Sequence, residues 1–134
     1  MALIADAANV SQDGKLNVLG RFRAVYAATL PARHPSMTLV VELEASAFEA
    51  GTEKQIEVVL SDPDGRELSR LSAKATLPVP ATPGDLRPLM ILDFRDLTFD
   101  KAGGYSFTTI IDGERQSPST DFAVALIPRL EERP

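Results

Sequence analysis

Apolar and polar residues alternate one for one along most of the chain. From Leu16 to Tyr26, Leu16, Val18, Gly20, Phe22, Ala24 and Tyr26 share one parity while Asn17, Arg21 and Arg23 hold the other, the two-residue period of a strand with one face on a core and one in water. Met37, Leu39, Val41, Leu43 and Ala45 repeat the pattern against Thr38, Glu42, Glu44 and Ser46, as do Ile56, Val58 and Leu60 against Gln55, Glu57 and Ser61. A helix would place its apolar residues three and four apart instead. The pattern predicts about eight short strands between Leu3 and Leu126.

The residues between these runs predict how they connect. Asp13-Gly14 separates Ile4–Val10 from Leu16–Tyr26, and Asp112-Gly113 separates Tyr105–Ile111 from the segment reaching Phe122–Leu126; Asp-Gly is a strong hairpin signal because both residues tolerate positive φ. Pro63-Asp64-Gly65 does the same between Ile56–Ser61 and Glu67–Leu77, with proline presetting the first turn angle. A crossing at Pro31–Pro35 and a longer one at Pro78–Pro88 divide the hairpins into two layers, since prolines cannot donate to a ladder. Parity slips between Leu68 and Leu71, and between Phe94 and Leu97, predict β-bulges. The first strand, around Ile4–Asn9, carries few large side chains and is expected at a sheet edge. The expected fold is therefore an all-β, two-sheet antiparallel sandwich.

Composition narrows the setting. With 134 residues, 44% of them hydrophobic, residues 1–127 are expected to form a single β-sandwich domain burying roughly two thirds of its unfolded surface. Residues 128–134, with a proline at each end and four charges, read as a C-terminal tail. There is no cysteine, which excludes a disulfide-stapled scaffold and a thiolate zinc site. Asp6 and Asn9 interrupt any apolar run at the start, so no signal peptide is read there, and no stretch approaches the roughly 18–20 apolar residues of a membrane span. A cytoplasmic protein with no membrane partner is expected. The net charge is −5 with both signs interspersed, so no nucleic-acid partner is expected either, because such binding needs clustered Lys and Arg to neutralise phosphates.

No motif for catalysis, a metal or a cofactor stands out, and none of the three is expected. His34 is the only histidine, which excludes a multi-histidine zinc site; between Pro31 and Pro35 it reads as a turn residue. Asp62 and Asp64, and Asp93, Asp96 and Asp100, read as turn chemistry, with loop-bound calcium as the alternative use. No serine lies in a nucleophile elbow or a Ser-x-x-Lys pair. Gly103-Gly104 is followed by no Lys-Ser or Lys-Thr and reads as conformational rather than phosphate-binding.

The outward faces are more informative. Leu19 and Val25 fall on the polar side of the second strand, Val40 on that of the next and Val59 on that of the fourth. Such positions mark either a partner surface or the covered second face of a central strand. Leu19, Arg21, Arg23, Val25 and Val40 form the candidate protein interface, with Asn9 and Asn17 as part of a polar rim.

Two segments resemble known families. Gly103-Gly104-Tyr105-Ser106-Phe107 resembles the entry to the penultimate strand of immunoglobulin-like sandwiches, where a glycine two residues before a tyrosine opens a strand and the tyrosine hydroxyl returns to the backbone. That pattern's aspartate four residues before the tyrosine is Lys101 here, and the chain has no tryptophan, so the resemblance extends to a sandwich corner. The run from Leu3 to Gly20, with Phe22, Tyr26, Pro31, His34-Pro35 and the Asp62–Gly65 turn, resembles a family of small bacterial proteins known only as a domain of unknown function. That resemblance implies a bacterial or phage origin and a stand-alone β domain, and carries no activity. The functional expectation is a non-catalytic interaction module that binds a protein partner or forms a homodimer. The alternative is a ligand-binding domain using end loops for carbohydrate or calcium, and a third reading is an enzyme of unrecognised type.

Overall fold

The computed structural model describes residues 1–79, 86–116 and 119–127. Turn chemistry sets the local connections. Gly14, at φ +83°, closes β1 (Ala2–Val10) on β2 (Leu16–Arg21). Between β5 (Glu53–Ser61) and β6 (Glu67–Thr76), Asp62 Oδ1 accepts from the Asp64 and Arg66 amides at 2.9 and 2.8 Å. Asp112 and Gly113, both at positive φ, fold β8 (Gly103–Ile111) onto the two-residue β9 (Glu114–Arg115). The other strands are β3 (Ala24–Ala27), β4 (Ala32–Glu42), β7 (Leu89–Phe99) and β10 (Thr120–Leu126).

Ten strands thus replace the expected eight, in two sheets, one ordered β2-β1-β4-β7 and the other β3-β10-β8-β5-β6 with β9 also beside β8. Every pairing is antiparallel except that of β3 with β10. Apart from a 3-10 turn at Ala47–Glu49, the described residues contain no helix, and none is long and apolar enough to cross a membrane.

The two sheets meet through the parity-matched faces the sequence predicts. Ile4, Met37, Leu39, Val41, Phe94, Leu97 and Phe99 from one sheet pack on Val58, Leu60, Tyr105, Phe107, Phe122 and Val124 from the other. Both slips in parity are structural. Leu68 is skipped where Leu60 pairs with Ser69 and Ser61 with Glu67, a one-residue bulge. The second is not the expected bulge: Asp96 takes a φ of +54° but the register runs unbroken from His34–Leu97 to Ser36–Arg95, so both strands turn over together across Pro35 and Asp96.

Four further sequence expectations need correction. Leu16–Tyr26 is not one strand: after Arg21 the chain leaves the first sheet and enters the second at Ala24, with the Phe22 amide still bonded to Ile4 O at 2.9 Å and Arg23 O accepting from Ala123 at 3.0 Å. Alternation continues through the crossing, which is why parity alone does not show it. β1 is not an edge strand, since it lies between β2 and β4; its pairing with β4 nevertheless stops at Ala5–Thr38, short of Pro35, which has no N–H to give. Pro31–Pro35 is not a connection, because Ala32–Ser36 already pairs with β7. His34 is therefore a strand residue, half-buried between the rings of Phe22 and Phe99 at 5.9 and 6.4 Å. In the Pro78–Pro88 crossing, Leu86 is buried and residues 80–85 lie outside the described residues, as does the expected tail at 128–134.

The glycine-tyrosine corner forms as expected. Tyr105 is buried and its hydroxyl donates to Lys101 O at 2.8 Å, and burial pushes its phenol pKa above the usual 10.0. Gly103 sits at φ +137° with Pro63 so close that a Cβ would lie 3.0 Å from Pro63 Cγ, and Lys101 pairs with Asp64. The corner is thereby locked against the β5–β6 turn. Tyr105→Phe is expected to lower the denaturation midpoint by the equivalent of about 1 kcal/mol with an unchanged slope. Gly103→Ala should cost more, about 1–3 kcal/mol, since left-handed backbone and the Pro63 approach must both be relieved. Equal stability of the first variant and wild type in urea titration would show that the hydroxyl contributes nothing net.

Candidate functional site at one end of the sandwich

The five candidate interface residues separate in space. Leu19 projects from the outer side of the edge strand β2 and is 71% exposed. Arg21 pairs across the ladder with Ala5 on that same side and is exposed. Val40 shares that face, in one row with Leu3 and Ile91, but is 0% exposed, because central-strand residues of a twisted sheet are covered by the longer side chains around them. Val25 lies on the other sheet and packs half-buried against the core; once the chain crosses at Phe22, its side of the strand becomes the inner one. Val59 is likewise buried. Leu19, Arg21 and Arg23 are thus what remains of the surface, with Asn17 Nδ2 donating to Asn9 Oδ1 at 2.9 Å beside them.

Arg21 and Arg23 also flank a cleft of about 590 Å³ between the sheets. It opens at the end where β4 and β8 finish and β1 and β10 begin. The aromatic rings crowd the middle and far end of the core, whereas this end is lined by Ala2, Thr109 and Thr120, which are too small to fill the space between the layers. Phe22, Leu43 and Ile111 supply half-buried apolar walls, and Glu42, Glu44 and Asp121 share the rim. Neither arginine has an ion-pair partner among the described residues, while Glu42 lies 3.9 Å from Arg87. A second depression, of about 600 Å³, runs over the outside of the other sheet past Ser61, Ser106, Thr108 and Ser119; Ser106 and Ser119 both donate to Asp121 Oδ1 at 2.8 Å.

At the same end of the sandwich stands a feature that alternation does not reveal. Phe48, on the 3-10 turn, is 97% exposed. Its turn is firmly tied. Ser46 N donates to Glu49 Oε2 at 2.9 Å, Lys54 Nζ to Glu49 Oε1 at 3.2 Å, and Thr52 Oγ1 to Glu49 O at 2.6 Å. Lys54 also reaches Asp112 at 3.5 Å, and Ala45 and Leu86 exchange both backbone hydrogen bonds. The sequence signal was the serine three residues before a glutamate, a helix-start pattern; a lone phenylalanine inside it has no periodicity to mark it.

Of the aspartates predicted as turn residues, Asp62 and Asp64 do lie at the β5–β6 turn, but Asp93 and Asp96 are strand residues of β7, where they serve cross-strand contacts instead. Asp62 closes its turn, Asp93 accepts from Thr38 at 2.8 Å, and Asp96 pairs with Arg33 at 3.1 Å. Among the described residues no group of three or more His, Cys, Asp or Glu side chains is placed to hold a metal.

The Ser46 amide, and after it Lys54, hold the Glu49 carboxyl below the usual 4.5. A folded value below the unfolded one means that the tie is complete above pH 4.5 and is lost as pH falls through the folded value. The Ser46 amide resonance is therefore expected to titrate with a midpoint below 4.5, and the transition should vanish in Glu49→Gln. A midpoint at or above that value would show that the carboxylate does not hold the turn.

Searches of curated proteins and of solved structures each returned no match. One family model does match, over residues 1–125, a span that takes in the Leu3–Gly20 run, both sheets, the cleft and the Phe48 turn. The chain belongs to the family of unknown function DUF6941.

Proposed function

We propose that this chain is a non-catalytic interaction module, an immunoglobulin-like sandwich of bacterial, cytoplasmic origin that binds a protein partner or a second copy of itself. The observation that carries this reading is the free side of β2: an edge strand whose outer backbone groups face no neighbouring strand among the described residues, with Leu19 71% exposed on it and Arg21 beside it. An open edge offers backbone hydrogen bonds to an added strand, and an exposed leucine next to an arginine supplies the apolar-plus-guanidinium pairing common at protein interfaces. The immunoglobulin-like grouping is supported by the parallel β3–β10 pair and by the Tyr105 corner. A carbohydrate-binding reading has its own support in the hydroxyl-lined depression along Ser61, Ser106 and Thr108.

Cross-linking followed by pull-down from the native host is expected to return a specific protein, and Leu19→Lys is expected to abolish the capture. Since Leu19 is exposed, that variant's melting temperature should stay close to wild type, a surface change being worth about 0.5 kcal/mol or less. Absence of any specific protein or self-association, together with saturable binding on a glycan array, would replace the interaction reading with the carbohydrate one.

A further inference from the structure

The chain has eight aromatic side chains, six Phe and two Tyr. Phe94, Phe99, Tyr105, Phe107 and Phe122 are buried and Phe22 is half-buried. Of the remaining two, Phe48 is 97% exposed and Tyr26 66%. Exposing a whole phenylalanine forgoes roughly 1.5–3 kcal/mol of burial, and a flexible turn would let the ring fold back onto the surface. Here the turn is held by Glu49, Lys54, Thr52 and the Ala45–Leu86 bridge, so the ring stays presented.

The receptacle for such a ring lies at the same end of the molecule. Glu44, on the cleft rim, is four residues from Phe48, which keeps their Cα atoms within about 14 Å of each other, and Lys54, tied to Glu49 of the same turn, reaches Asp112 next to the cleft residue Ile111. The cleft is of ligand size; the half-buried Phe22, Leu43 and Ile111 give it apolar walls within a lining that is otherwise largely polar. The charges match as well. Glu44, Glu49 and Glu53 flank Phe48 along the chain, with Lys54 directly after them and paired with Glu49; Glu44 has no ion-pair partner among the described residues, and neither has Arg21 or Arg23.

We propose that two copies of this chain pair end to end about a two-fold axis, each inserting Phe48 into the other's inter-sheet cleft with Glu44 facing the partner copy's arginines. A knob and a hole at the same end of the molecule can satisfy the self-complementarity that an isologous dimer requires. Both are buried by one contact, and an aromatic anchor in a pocket with a charged rim is the usual form of an interface hot spot. The inference rests on the interaction-module reading but uses a different surface from Leu19.

Sedimentation velocity from about 10 µM to 1 mM is expected to show a reversible monomer–dimer equilibrium, weakened at least about tenfold by Phe48→Ala; being almost wholly exposed, the substitution should leave the melting curve of the monomer unchanged. Glu44→Arg and Arg23→Glu should each weaken the dimer and should restore it when combined. Because the chain has no cysteine, Phe48→Cys mixed with Ala2→Cys should form a disulfide between the two kinds of chain. A strict monomer at 1 mM, or a dimer indifferent to Phe48→Ala, would overturn this pairing. Capture of another protein that Leu19→Lys abolishes and Phe48→Ala does not would leave the interaction-module reading standing without it.

Discussion

The contact between the two sheets rests on five aromatic rings. Phe94 and Phe99 of the first sheet meet Phe107 and Tyr105 of the second at 4.9 Å between centroids, and Phe122 lies 5.5–5.7 Å from Phe99, Tyr105 and Phe107. Rings at these separations in tilted, edge-on and, for Tyr105 and Phe122, stacked arrangements add specific attraction to area burial. They also fix the spacing of the layers, because a ring cannot be compressed as an aliphatic chain can. Where the rings stop, the residues between the sheets shrink to Ala2, Thr109 and Thr120, yet the layers keep their separation. The cleft is the consequence. A structural choice made at one end of the core thus leaves a binding-sized space at the other.

The crossing at Phe22 depends on that same spacing. Moving from β2 to β3 takes the chain across the open side of the sandwich, from one edge strand to another, and Phe22 fills part of the gap it crosses, packing on His34 at 5.9 Å. Arg21 and Arg23 lie on either side of that residue. Their pairing at the rim therefore arises from a strand that changes sheets, and two residues of equal parity, which on a single strand would share one face, end up at the junction of two layers. Val25, two residues further on, is turned inward for the same reason.

Local chemistry was legible in the sequence wherever one residue decides the backbone. Gly14, Gly65 and the Asp112-Gly113 pair made the turns they announce, Leu68 and Asp96 sit where parity slips, and Tyr105 bonds back to Lys101. Long-range arrangement was less legible, because alternation reports which way a side chain points and not what lies above it. Val40 points outward as expected and is nevertheless fully buried, since Leu3 and Ile91 flank it in one cross-strand row. Pro35 signalled a break and instead sits within β4 at the point where β1 has already stopped pairing. Phe48 was invisible for the opposite reason: it belongs to no periodic run.

That invisibility carries physical meaning. A residue on a strand is placed by the demands of the sheet, so its identity is largely explained by folding. Phe48 satisfies no such demand, as its turn is already closed by Glu49, Thr52 and Lys54 without any contribution from the ring. The fold would lose nothing by a polar residue there and would gain solubility. Leu19 stands in the same position on β2, where the ladder to β1 uses its backbone and leaves the side chain in water. Two large apolar groups, each held on backbone that would form without them, are thus not accounted for by the folding of this chain. Their placement on separate parts of the surface allows one contact with a copy and another with a different partner.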